Sequence, residues 1–260
     1  MALLNFRKKA DPAIETVNPA VESFLQDFSI EVMPRTAEKV EDFTALLPAG
    51  TRVYIAHIEG TPIEDMVATA ARLNADGYKV MPHFPARIIK DRATLADWIA
   101  RYQGEADVKQ GLILAGGVTT PHGDFSDSMQ LLETGLFDEA GFTRLHVAGH
   151  PEGNRDIDTT GTANVDAALR WKNDFQTRTD AKMAIATQFA FEAKPIIAWA
   201  DGLRDAGITL PVVAELAAHK AANLDFNISH VHFFPLGGIK TNATWAQTNG
   251  GASAAPAKAS

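Results

Sequence analysis

Cysteine is absent from this chain, which excludes disulfides, thiolate metal sites and catalysis by a cysteine nucleophile. No apolar run approaches the roughly 20 residues that cross a bilayer, and the basic residues 1–10 lack the apolar segment of a signal peptide. Positive charge is scarce, since 24 Lys and Arg stand against 32 Asp and Glu, and an acidic surface disfavours nucleic acid. We therefore expect a cytoplasmic protein without membrane or nucleic-acid partners.

The glycine fingerprint of dinucleotide-binding folds, G-x-G-x-x-G after a strand, is also missing. What the chain does contain is a series of short apolar runs alternating with amphipathic stretches. Repeated strand–helix units predict an α/β fold, a (β/α)8 TIM-type barrel with a shortened seventh and eighth unit, and an open doubly wound sheet is the alternative. The runs are Phe28–Pro34, Arg52–His57, Lys79–Phe84, Gly111–Gly117, Arg144–His150, Lys182–Phe189, Leu210–Val213 and His230–Leu236.

Helix signals lie between these runs. Thr61 as a cap, followed by Pro62 and Glu64, predicts a helix that Gly77 ends. Thr94 with Asp97 predicts the start of the next one, and Pro195 to Gly207 delimits another. We expect one barrel domain over residues 21–248, an N-terminal extension over 1–20 and a disordered Ala/Gly/Ser-rich tail over 249–260.

Glu31 is the most informative polar residue, because it lies in the middle of the first predicted strand. Alternation places it on the same face as Ser29 and Met33, and in a barrel this face is the lumen. Burial would raise the pKa of its carboxyl group, as a general acid working near neutral pH requires. An ion-paired structural glutamate is the alternative.

Other polar residues and glycines stand at strand ends, where α/β barrels build their active sites. His57, His83 and His150 follow three such ends, and each alone is typical of a structural histidine. His230 and His232 form an H-x-H pair that could bind a metal or be structural. Gly116 with Gly117, and Gly237 with Gly238, allow a ligand close to the backbone or simply mark turns.

Six motifs, in order over residues 28–236, resemble those of the methylenetetrahydrofolate reductase family. The motifs are SIEVMPRT at 29–36, GYKVMPH at 77–83, VAGHPEGN at 147–154, LRWK at 169–172, IATQFAFE at 185–192 and HFF at 232–234. The resemblance implies a barrel enzyme of one-carbon metabolism. It would interconvert 5,10-methylenetetrahydrofolate and 5-methyltetrahydrofolate through bound FAD, with NADH or NADPH as co-substrate.

Residue roles follow from the same resemblance. It makes Glu31 the general acid and assigns the reduced folate to Gln188 and Phe189. The flavin would contact the positions His57, His83, Gly116, Gly117, His150, Asn154 and Lys172. A homo-oligomer is possible.

Departures from the family pattern keep two rivals open. Gly117 replaces an acidic residue near the flavin, His150 and Asn154 replace a Tyr and a His, and Val213 to Ser229 leaves room for only one helix. These departures suggest a non-catalytic folate- or flavin-binding barrel. The histidines alone suggest a metal-dependent barrel hydrolase.

Overall fold

In the computed structural model the described residues are 19–188, 193–213, 228–235 and 238–251. Strands and helices alternate along them, because short Val/Ile-rich runs are separated by amphipathic stretches. All described strand pairs are parallel and helices alternate with them, which confirms the α/β class. Nine strand segments are described: β1 (Ser29–Val32), β2 (Arg52–Ile55), β3 (Lys79–Pro85), β4 (Gln110–Leu114), β5 (Arg144–Gly149), β6 (Lys182–Thr187), β7 (Val212–Val213), β8 (Ile228–His230) and β9 (His232–Phe233).

The helices of the described residues pack on the outside of this sheet. They are α1 (Pro19–Leu25), α2 (Pro34–Ala37), α3 (Ile63–Ala75), α4 (Arg92–Ala106), α5 (Ser128–Glu133), α6 (Leu136–Glu139), α7 (Ala163–Phe175), α8 (Ala193–Asp205) and α9 (Ile239–Thr248). A 3₁₀ turn covers Ala86–Ile88. No helix of the described residues is long and apolar enough to span a membrane.

The strand order runs β8-β7-β6-β5-β4-β3-β2-β1-β9. Neighbours in the sheet are neighbours in the chain except at β9, which pairs with β1 through Ser29–His232 and Ile30–Phe233. Only Val231 separates β8 from β9, and its carbonyl accepts a hydrogen bond of 2.9 Å from the Ser29 N–H. The last strand region therefore contacts both ends of the sheet.

All three predicted helix starts are wrong in detail, and α8 already contains Ala193, two residues before the predicted Pro195. The N-cap of α3 is Pro62 rather than Thr61, and no side chain caps it. α4 begins earlier than predicted, because Asp91 caps it by accepting a hydrogen bond of 2.8 Å from the Thr94 N–H. The predicted ends are confirmed, since Gly77 and Gly207 follow α3 and α8 with φ values of 85° and 74°.

Most of the core lies between the sheet and the helices, where outward-facing residues such as Ile30, Val53 and Ile113 are fully buried. A separate small cluster of Tyr54, Met81, Leu112 and Ala186 packs on the other face of the sheet. These residues come from β2, β3, β4 and β6, so they fill the inside of the curved sheet. At the chain ends, Asn249 and Gly251 close α9 with backbone hydrogen bonds, and residues 1–18 and 252–260 lie outside the described residues.

Candidate active site

Polar side chains collect on the inner face of the sheet. Glu31 pairs in register with Tyr54, whose side chain belongs to the inner cluster, and His83 lies two residues beyond Met81 of that cluster. β9 brings His232 beside β1. This register is consistent with the predicted inward direction of the Glu31 side chain.

Glu31 and two histidines form the centre of the group. Glu31 Oε2 lies 3.2 Å from Nε2 of His83 and 3.9 Å from Nε2 of His232. The His232 side chain is 3% exposed and that of Glu31 is 21% exposed, so the carboxylate stands between a buried histidine and an open space. One oxygen of Glu31 thus faces both imidazoles.

The surroundings of His232 favour the neutral tautomer with its proton on Nε2, although the Ser29 hydroxyl also lies 3.3 Å from the Val231 carbonyl. The His232 Nδ1 lies 2.9 Å from Ser29 Oγ, which can donate to it. A proton on Nε2 then points toward Glu31, whereas the other neutral tautomer would put a bare lone pair opposite the carboxylate. The Nε2–H of His232 therefore faces Glu31 at 3.9 Å, which is an electrostatic contact rather than a hydrogen bond.

The predicted rise in the Glu31 pKa is wrong. Burial does push the pKa of Glu31 upward, but the favourable interactions of the carboxylate with the nearby His232 and His83 imidazoles outweigh it and lower the pKa to about 2. Burial lowers the pKa of His232 despite the neighbouring carboxylate, so this ring is neutral at neutral pH. Glu31 is accordingly an anion throughout the physiological range.

A second inner pair lies deeper. The Tyr54 hydroxyl is 2.5 Å from His146 Nδ1, and the Tyr54 ring packs edge-on against His232 with centroids 4.4 Å apart. Burial raises the pKa of Tyr54 and lowers that of His146, so the phenol donates to a neutral imidazole. Sequence reasoning missed both residues. Their only signal was alternation, which places Tyr54 and His146 on the inner faces of β2 and β5.

A cavity of about 650 Å³ opens above Glu31. Its wall consists of the segment after β1, including Lys39 and Glu41, and of the first turn of α9, including Lys240 and Thr241. Because both segments follow the carboxyl ends of strands, the cavity lies at the end of the sheet where barrel enzymes bind their substrates. Glu31 is the inner-face residue that this space reaches.

Two of the predicted flavin residues, His150 and Lys172, line another cavity of about 540 Å³. The Lys172 amine donates a hydrogen bond of 2.9 Å to the Ala148 carbonyl, and burial lowers its pKa to about 8 despite the opposing charge of Asp127. Four alanines are among the described residues that line this cavity.

The remaining predicted residues are dispersed. His57 stacks on Trp98, with ring centroids 4.8 Å apart, and bonds the Thr61 carbonyl through Nε2, while its buried Nδ1 has no partner among the described residues. His150 Nδ1 donates to Gln188 Oε1 at 2.9 Å, which joins a predicted flavin residue to a predicted folate residue.

The other predicted positions belong to turns or fall outside the described part of the chain. Asn154 accepts a hydrogen bond from the Asp156 N–H. Gly116 has a φ of 92° and Gly117 has open space around it, so only Gly116 needs the conformational freedom of glycine. Phe189 and Gly237 lie outside the described residues.

The metal-hydrolase alternative gains no support from the residues described. No group of three or more His, Asp or Glu side chains in ranges 19–188, 193–213, 228–235 and 238–251 could hold a metal ion. His230 bonds Ser229, whereas His232 turns to Ser29 and Glu31, so the H-x-H pair does not act together.

Comparison with known proteins found no matching family model. Among solved structures, the chain is similar to a mandelate racemase/muconate lactonizing enzyme from Bordetella bronchiseptica RB50, with a TM-score of 0.41 and 13% identity. The match covers 86% of this chain and 49% of the other, so the chain spans about half the length of that protein.

This finding overturns the predicted function. The matching structure is named as a racemase/lactonizing enzyme and not as a folate reductase, so the prediction of flavin-linked interconversion of methylene- and methyltetrahydrofolate is corrected here. At this TM-score, the chemistry of that enzyme is not transferred to the chain either. The residues themselves must carry any proposal.

Proposed function

We propose that the chain is an enzyme built on a closed (β/α)8 barrel. The support for closure is the single residue between β8 and β9, which pair with β7 and β1 respectively. Counting the two segments as one strand gives the eight strands that a barrel of this type needs. In that geometry the Glu31 cluster lies at the carboxyl ends of the strands.

The observation that carries the proposed activity is the position of Glu31. Its carboxylate contacts two histidines on one side and lines the 650 Å³ cavity on the other. A carboxyl group with a pKa of about 2 is a poor proton acceptor at neutral pH but always carries its charge. Glu31 therefore acts on the substrate as a fixed anion.

A fixed anion at a barrel mouth binds a cationic group and stabilises positive charge that develops during a reaction. The histidines hold the carboxylate in place, so no reorganisation is needed when that charge appears. We therefore propose an enzyme whose small, polar substrate carries or develops positive charge, such as that of a protonated nitrogen, next to Glu31. His83 and His232 are positioning residues in this scheme.

The test uses small monovalent cations and anions of matched size, for example butylammonium, butylguanidinium and butyrate, and measures their binding by NMR chemical-shift titration. We expect the cations to bind in the Glu31 cavity and Glu31→Gln to weaken them roughly 10- to 100-fold, because a charge-assisted hydrogen bond is lost. Glu41→Gln is the control, since Glu41 lines the same cavity. Equal losses in both variants, or preferential binding of butyrate, would reject the proposal.

Flavin and nicotinamide binding, the likeness to the reductase family and homo-oligomer formation remain predictions. The support for a flavin is that Lys172 and His150 share the 540 Å³ cavity, where a buried amine suits an anionic group of a ligand. Bound flavin would supply hydride-transfer chemistry there. Adding FAD, desalting and recording the absorption spectrum tests this directly, with Lys172→Met expected to lose any retained flavin.

A further inference from the structure

The opposite end of the sheet carries an unusual set of charges. Four of its strands, β2, β3, β5 and β6, begin with a basic residue, and the strand between the two pairs, β4, begins with Gln110. The four residues are Arg52, Lys79, Arg144 and Lys182. Register places Arg52 beside Lys79 and Arg144 beside Lys182, so within each pair the two basic residues are direct neighbours across adjacent strands.

Alternation directs these side chains inward. Arg52 precedes Tyr54 by two residues and Lys79 precedes Met81 by two, and both later residues belong to the inner cluster. Arg144 stands in the same relation to His146, which bonds Tyr54. The amino-terminal mouth of the sheet is therefore lined by cations in a protein whose net charge is −8.

A cavity of about 180 Å³ lies at this mouth, and its lining residues within the described ranges carry more positive than negative charge. Arg52, Lys79 and Arg144 line it together with His230, and Asp27 is the one carboxylate among the described lining residues. Burial and the charge of Arg144 both lower the pKa of Arg52, although Tyr54 and Asp27 oppose them. The two guanidinium groups thus repel each other in a partly enclosed space.

The geometry points to a binding site for a small oxyanion of the size of inorganic phosphate at the amino-terminal mouth of the barrel, held by Arg52, Arg144 and Lys79. Guanidinium groups bind tetrahedral oxyanions through paired N–H donors, and within the described part of the chain the Arg52 side chain donates through Nε to Gln110, at 3.3 Å. Cavities that enclose organic ligands usually measure about 300–1,000 Å³, so this smaller space fits a free ion better than a cofactor. The site is separate from the Glu31 cavity, with which it shares no lining residue.

Isothermal titration calorimetry of the whole protein with inorganic phosphate, at fixed pH and fixed ionic strength set by chloride, tests the site. We expect saturable binding at one site per chain, and a melting temperature that rises with phosphate but not with added chloride. Arg144→Gln should weaken binding at least 10-fold. Lys79→Gln should weaken phosphate binding several-fold. Because Lys79 is exposed, this substitution should leave the fold intact.

Arg204→Gln is the matched control, because Arg204 lies on α8 in an exposed pair with Asp201 and should leave phosphate binding unchanged. Without phosphate, Arg144→Gln should unfold at the same temperature as the wild type or higher, since it removes a repulsion. In saturating phosphate the wild type should unfold at a higher temperature than Arg144→Gln, because only the wild type retains the full site. An equal response to chloride, an equal loss in Arg204→Gln, or phenyl phosphate binding as tightly as inorganic phosphate would overturn the assignment to a free oxyanion.

Discussion

Glu31 and Lys172 are both enclosed charged groups, yet they end in different states because their partners differ. One oxygen of Glu31 lies 3.2 Å and 3.9 Å from two imidazoles, and their attraction lowers its pKa to about 2 in spite of burial. Lys172 has a backbone carbonyl as its partner, so burial dominates and its pKa falls to about 8. The folded protein therefore favours the charged form of Glu31 and disfavours the charged form of Lys172.

Replacing His83 by Asn should raise the pKa of Glu31 well above 2, since it removes the imidazole that lies 3.2 Å from the carboxylate while burial remains. In the wild type the lowered pKa favours folding above about pH 4.5, and this contribution disappears as the pH falls toward 2. ¹³C NMR titration of the glutamate carboxyl signals measures the shift. His122→Asn, at an exposed pair with Glu59, is the control, and an unchanged Glu31 midpoint would exclude the pairing with His83.

Lys172 should make the protein more stable as the pH rises from about 8 toward 10.5. In this interval the unfolded chain holds a proton on the lysine that the folded protein has released, so folding becomes more favourable. The shift in the Lys172 pKa corresponds to a rise of about 3 kcal/mol in the free energy of unfolding over this pH interval. Urea unfolding at pH 8, 9 and 10 measures it. Lys172→Met should flatten the profile, and the exposed Lys90→Met should not.

Sequence reasoning located Glu31 but assigned it the wrong charge state. Alternation within β1 is a local pattern, and it sufficed to direct the side chain inward. The pKa, however, depends on His83 and on His232, and the latter arrives from about two hundred residues away. Tyr54 and His146 were missed for the same reason, because two strand residues become a pair only when β2 and β5 curve around the same interior.

At the level of elements, the strands were predictable to within a few residues because buried parallel strands read as continuous apolar runs. Helix starts were less so. In α4 the N-cap is Asp91, and Thr94 is the third residue of the helix. Because Asp and Thr are both common N-cap residues, the sequence alone does not show which of the two caps the helix. Packing decides between them, because Leu95, Ile99 and Tyr102 must face the sheet.

The contact between β5, β6 and α8 permits a direct test of packing. A Cβ atom at Gly149 would lie 2.3 Å from Ile185 Cγ2 and 2.9 Å from the Trp199 ring, so Gly149→Ala should destabilise the protein by roughly 1–3 kcal/mol. Gly202→Ala, on α8 itself with nothing within 4 Å, should instead stabilise it by up to about 1 kcal/mol. Chemical denaturation compares the two, and a neutral Gly149→Ala would contradict this packing.

At the scale of the whole molecule, the pairing of β8 and β9, on either side of Val231, decides whether the sheet has free edges. The Ser29 N–H donates to the Val231 carbonyl, and Ser29 is 2% exposed. Its amide should therefore exchange with solvent as slowly as amides of the central β4 and β5. Hydrogen-exchange NMR or mass spectrometry measures this, and rapid exchange over residues 29–32 together with 228–233 would indicate an open sheet.

The bond between Ser29 and Val231 also joins residues that are 202 positions apart in the chain. On the ribosome, β1 must wait with an unpaired edge until the chain has been synthesised as far as β9. Such an edge is a template for pairing with other nascent chains, so the newly made protein depends on rapid completion or on chaperone cover. A circular permutant that starts between β4 and β5 would place β9 and β1 close together in sequence, and it would shorten that exposed interval.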